Sequence, residues 1–268
     1  MPMMKTAMNA AVIRMTAAVL LLAVHGAPAS AADQLVKIDT RPGVTVSVWF
    51  MPRPNATATV VLLPGGGGGI GMKHGVPTSE NFLVRSRDLF AQQGLNVAVV
   101  GRPSDVKRLD YEFRIDPRHM EDLHRVVTYL KKMDAKFPIW LVGTSRGTIS
   151  ATAAAIDFGE HELAGIVLTS SVTRAKKTGA VPTQKLDRIR IPVLVVHHER
   201  DACKVCVPQE APYILRGLVN APVKKLIMVS GGANPRGDPC EALHWHGYIG
   251  MEAEAVDTIV GWIKNPKP

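Results

Sequence analysis

Residues 141–147 read Leu-Val-Gly-Thr-Ser-Arg-Gly, a G-x-S-x-G set made of Gly143, Ser145 and Gly147, lying between an apolar run and an alanine-rich segment. On its own such a pentapeptide also fits an ordinary strand-to-helix turn in which Ser145 only caps the helix. Flanked by a strand and a helix, its two glycines allow a tight turn that lifts the serine hydroxyl above the sheet edge. The helix start then adds unpaired N–H groups and partial positive charge beside it. A hydroxyl is a poor nucleophile at neutral pH, so it needs a base to take its proton and a third group to hold that base. Both types occur downstream. The apolar run 191–196 is followed by His197, His198, Glu199, Arg200 and Asp201, and a later stretch carries His244, Trp245, His246, Gly247 and Tyr248. The order serine, acid, histidine is that of a nucleophile-elbow site, with Asp201 or Glu199 as acid and His246 or His244 as base.

An acyl-transfer site must also hold a tetrahedral oxyanion, usually on two backbone N–H groups. One is expected from Arg146, the residue after the nucleophile. The other is expected from the turn that follows the apolar run 58–63, where Pro64 precedes five glycines, with Gly66 as the donor. A phosphate-cradling loop is the rival reading of those glycines, but no lysine followed by serine or threonine stands at P-loop spacing.

These residues need a scaffold that brings distant loops together. Residues 35–38 and 44–50 read as an initial pair of strands, and further strands are expected at 58–63, 95–100, 139–142, 166–168, 193–196 and 226–229. Helices are expected over 79–93, ending at Gly94, over the segment where Met120, Leu123, Val126, Val127 and Leu130 recur at spacings of three and four, over 148–158, and over 252–264. Such alternation calls for an α/β fold, a mostly parallel central sheet covered by helices on both faces. Residues 102–117 read as a long polar loop, and 171–190 is too short for a large cap, which leaves the cap small or absent and the site open.

From residue 58 to residue 262 the sequence resembles the α/β-hydrolase superfamily. The resemblance rests on Pro-Gly-Gly-Gly at 64–67, Gly-Thr-Ser-Arg-Gly around Ser145, the Val-Val-His-His-Glu-Arg-Asp run ending at Asp201, and His-Gly-Tyr at 246–248. It implies Ser145 as nucleophile, Asp201 rather than Glu199 as acid, and His246 rather than His244 as base. It implies hydrolysis of a small-molecule acyl bond, an ester ahead of an amide or thioester, with no cofactor. The glycine turn departs from the commoner His-Gly start by having Pro64-Gly65.

Three cysteines allow one disulfide. Cys203 stands two residues past the expected acid and Cys240 six before the expected base, so a bridge between them would tie both loops. Cys206 could take the place of Cys203, and Cys203 with Cys206 could form a redox dithiol. With His197, His198, His244 and His246 these cysteines also define a metal-binding or redox alternative, although their spacing matches no structural-zinc pattern. A hydrolase-like fold that only binds a partner is the third reading.

Lys5 and Arg14, the apolar stretch 15–24 and Ala29-Ser30-Ala31 read as a cleavable export signal over residues 1–31, leaving 32–268 as the hydrolase domain in the periplasm or outside the cell. The apolar stretch falls short of the roughly 20 residues that span a bilayer, so no stable membrane insertion is expected after cleavage. Losing Lys5 and Arg14 takes the formal charge from +9 to +7. The remaining basic residues are scattered and not interleaved with aromatics, which argues against a nucleic-acid platform. Arg146, Arg102 and Arg174 point to an acidic or polar ligand, and a monomer is the default.

Overall fold

The computed structural model describes residues 32–268 and the first two; the proposed export signal lies outside the described residues. The chain opens with β1 (Gln34–Arg41) and β2 (Val44–Met51), an antiparallel pair, then β3 (Thr59–Leu63) and a small ribbon of β4 (Met72–Lys73) and β5 (Val76–Pro77). After α1 (Phe82–Arg85) and α2 (Arg87–Gln92) come β6 (Asn96–Pro103), α3 (Pro117–Met133), β7 (Ile139–Thr144), α4 (Gly147–Phe158) and β8 (Gly165–Thr169). The chain ends with β9 (Val193–His198), α5 (Pro212–Gly217), β10 (Lys224–Val229) and α6 (Glu252–Lys264). The eight-stranded sheet has the order β1-β2-β6-β3-β7-β8-β9-β10 and is parallel from β6 to β10.

The central strands are apolar runs because both of their faces are covered. Alternate residues of β3 show the division: Val61 and Leu63 pack with α3, α4 and α5, while Val60 and Leu62 pack with α1, α2 and α6. On the second face Trp140 of β7 meets Trp262 of α6 edge-on, at 5.7 Å. Asp116 caps α3 by accepting from the Arg118 N–H, with Pro117 in its first turn. Buried Asp122 of α3 takes a two-pronged bond from Arg41, which seals β1 against that helix.

Two expectations need correction. The helix expected over 79–93 starts later and is two short pieces broken at Ser86: Asn81 caps the first by accepting from the Leu83 N–H, and residues 79–81 line the functional cleft. The loop expected over 102–117 begins later, because β6 runs on to Pro103 to pair with Val46 of β2. The segment 171–190 holds only two short 3-10 turns, in keeping with a minimal cap.

After β3 the connection goes to β6 on one side, and the chain then returns across to β7 on the other. The strand order therefore reverses between β3 and β7, and the crevice beyond their C-terminal ends is where open α/β sheets bind ligands. The glycine turn and Ser145 lie at those ends.

Candidate active site

Ser145 sits between β7 and α4 with φ of 52°, a left-handed conformation that is uncommon for a residue with a side chain. Backbone approach explains the flanking glycines. A Cβ on Gly143 would lie 2.5 Å from the Gly147 carbonyl oxygen, and one on Gly147 would lie 2.0 Å from that of Leu63. The elbow is also held from outside: the Ser145 N–H donates to Thr169 O at 3.0 Å, and the Thr148 hydroxyl donates to Ser145 O at 2.6 Å.

Asp201 and His246 meet. The histidine Nδ1 lies 2.8 Å from the buried Asp201 Oδ2, and the other carboxylate oxygen accepts from the Cys203 N–H at 2.9 Å. This carboxylate fixes the Nδ1–H tautomer and leaves Nε2 free to accept a proton. That Nε2 is buried with no hydrogen-bond partner among the described residues. Glu199 is exposed, and His244 packs edge-on against Trp245 at 5.0 Å. The base loop is anchored by Ser170, whose hydroxyl donates to His246 O at 2.8 Å, and by Tyr248, whose hydroxyl donates to Val196 O at 2.9 Å.

Ser145, Arg146, Gly66 and His246 line one cleft of about 430 Å³. The serine hydroxyl does not bond His246 in this arrangement; its neighbour is the Cys206 sulfur at 4.0 Å. Such bonds are often loose before substrate binds and tighten in the complex. Gly65 packs directly on the elbow, where a Cβ would lie 2.9 Å from that of Ser145. The N–H groups of Gly66 and Arg146 enter no turn, loop or cap bond among the described residues, so both are available to an oxyanion.

The glycine turn is pinned from below by Arg114, which sequence reading missed. This fully buried guanidinium donates to Pro64 O at 3.0 Å, Gly66 O at 3.2 Å and Ser150 Oγ at 3.0 Å. The Gly65 carbonyl accepts from Gly68 at 3.0 Å, so three consecutive peptide planes around Gly66 are fixed. Burial, and then Arg146, pull the Arg114 guanidinium down to about 9.

No family model matches the chain, and no curated protein matches it. Solved structures do. An esterase from Pyrococcus furiosus superposes with a TM-score of 0.62 at 18% identity, over 87% of this chain and 92% of that one. An α/β serine hydrolase homologue from Coxiella burnetii gives 0.60 at 16%, over 85% and 96%. A serine hydrolase without a lid from Xanthomonas campestris gives 0.58 at 15%, over 88% and 97%. The chain has the α/β-hydrolase fold.

In this α/β-hydrolase fold a Cys203–Cys240 disulfide joins the loops after β9 and β10. Cys206 stays free and buried, with burial pushing its thiol well above the ordinary range, which disfavours a reactive dithiol. Cys203, Cys206 and His246 bring possible ligand atoms within 4.8 Å of one another. The Cys203 sulfur is already bonded to Cys240, however, and the donor set left does not suit a tetrahedral metal. Opening the bridge with Cys240→Ser is expected to cost about 3–4 kcal/mol from the 37-residue separation, read as a lower urea midpoint.

His197 serves the scaffold. It is buried, its Nε2 accepts the Ser171 N–H at 2.9 Å, and burial pulls the ring down to about 4. His119 is pulled to about 3, chiefly by burial. Between the ordinary 6.5 and these values the unfolded chain binds protons that the folded chain refuses, so stability falls as pH falls through that window. A urea midpoint that is the same at pH 7.5 and pH 4.5 would contradict this assignment. His198 is likewise structural, its Nδ1 accepting the Arg200 N–H at 3.0 Å.

Proposed function

We propose that this protein is a serine hydrolase that cleaves a small-molecule ester through an acyl-enzyme. The observation that carries the proposal is the buried Asp201–His246 pair at 2.8 Å, whose histidine lines the same cleft as a serine on a strained elbow.

Ser145 Oγ attacks the ester carbonyl while His246 Nε2 takes its proton, and the carbonyl oxygen becomes an oxyanion on the Gly66 and Arg146 N–H groups. The C–O bond to the alcohol breaks and the alcohol leaves with the proton from His246. Water then repeats the sequence on the acyl-enzyme: His246 accepts its proton, hydroxide adds to the carbonyl, and Ser145 leaves with the proton returned. Asp201 stays ionised and stabilises the imidazolium.

We also propose that residues 1–31 direct export. The disulfide between the acid and base loops supports this, because such bonds persist in oxidising compartments. Among the described residues no helix is long and apolar enough to cross a membrane.

A fluorophosphonate tests the hydrolase reading without the natural substrate. Peptide mapping is expected to find a single adduct on Ser145, lost in His246→Ala. An unlabelled Ser145 in folded protein would remove the reading, and a Ser145→Ala variant with undiminished biological activity would favour a binding role.

A further inference from the structure

Arg41, Arg53, Arg85 and Arg118 are salt-bridged, as is Arg174, which pairs with Glu210 at 2.6 Å and so is not the cleft residue its sequence position suggested. Arg102, Arg108, Arg114 and Arg146 have no salt-bridge partner among the described residues.

These four cations share a small volume. Arg146 lines the cleft, and its guanidinium lies 5.4 Å from the Tyr111 ring, with the Lys177 ammonium 5.5 Å from the same ring. Arg108 packs across Gly67, its Cγ 3.3 Å from where a glycine Cβ would stand, and the Arg102 guanidinium lies 3.7 Å from the same point on Gly69. Arg108 and Arg146 each act on a neighbour here: burial and then Arg108 lower Arg146, while burial and then Arg146 lower Arg114. Asp110 is the one carboxylate felt by both, and its Oδ1 is committed to the Phe113 N–H at 2.8 Å. A cluster of like charges left uncompensated beside a cleft is a standing cost that an anion can offset.

The chemistry of the site fixes which part of the substrate meets this cluster. The leaving oxygen must lie beside His246 Nε2 to receive its proton, so the alcohol runs along the base loop, where Glu241 lines the cleft. The acyl part leaves the carbonyl in the other direction. Glu80 also lines the cleft.

We infer that the substrate's acyl part carries an anionic group, a carboxylate, sulfonate or phosphate, received by Arg146 and Arg108 beside the glycine turn. The inference rests on the serine-hydrolase reading and adds its substrate class.

The test compares three 4-nitrophenyl esters of equal reach, of 4-sulfobutanoic, 5,5-dimethylhexanoic and 4-(trimethylammonio)butanoic acid, on the disulfide-intact protein. The expected order in kcat/KM is anionic, neutral, cationic, with about a tenfold or larger gap between the ends, shrinking in 0.5 M salt. Arg108→Gln and Arg146→Gln are each expected to narrow the gap, and the double variant to bring the three esters within about threefold. Equal rates for the three esters, or a gap that survives the double variant, would overturn the inference while leaving the hydrolase reading intact. No turnover of any ester, with Ser145 also refusing a fluorophosphonate, would remove both.

Discussion

His246→Ala is expected to lower kcat for 4-nitrophenyl acetate by about 10⁴-fold or more, with Asp201→Asn close behind. The two variants fail for different reasons. Without the imidazole nothing accepts the Ser145 proton. With an amide at 201 the ring's Nδ1 loses the carboxylate that fixes its tautomer and stabilises its charged form, while the 2.8 Å contact itself can survive. The comparison that decides the assignment is with the neighbours. Glu199→Gln alters an exposed side chain, and His244→Ala alters one packed on Trp245, so each is expected to keep kcat within about threefold of the parent. A collapse of activity in His244→Ala, with thermal unfolding unchanged, would transfer the base to that residue.

Gly147→Ala is expected to unfold the protein or to cost more than about 3 kcal/mol. The new Cβ would stand 2.0 Å from the Leu63 carbonyl oxygen. Neither partner can retreat, because Leu63 is paired with Gly143 in the sheet and Gly147 opens α4. Gly66→Ala makes the control. Its φ of 56° strains any side chain, but a Cβ there meets nothing within 4 Å, so about 1 kcal/mol is expected. Urea unfolding of both variants checks the contrast, and similar midpoints would mean that the elbow is less tightly seated than described.

Much of this arrangement was legible in the residues themselves. Buried parallel strands are apolar throughout, so β3, β6, β7, β8 and β9 announce themselves, and the strand-turn-helix context singles out Ser145. Asp201 and His246 could be narrowed to pairs of candidates by chain order. Within each pair the resemblance favours Asp201 and His246, whereas spacing alone does not choose, since Glu199 and Asp201 are only two residues apart and differ in which way the turn after β9 faces them. Arg114 was illegible because nothing in its own neighbourhood marks it; its importance comes from carbonyls about fifty residues earlier in the chain. Cys206 was read as a possible bridge or redox partner, whereas the fold sets it against Ser145. The break at Ser86 was hidden because apolar residues on both of its sides face the same core.

The face of the sheet under α1, α2 and α6 joins an early part of the chain to its last helix. Arg85 reaches from α1 to Glu252 of α6 and to the carbonyl of Gly247, the residue after the base. On a ribosome, the nucleophile's strand and turn emerge more than a hundred residues before that helix does. The nascent chain can therefore build its elbow early yet hold no working histidine until synthesis is almost over. A product that stops short of His246 carries the serine but not the proposed base, and one that stops before α6 also lacks the Glu252 that holds Arg85 against the base loop.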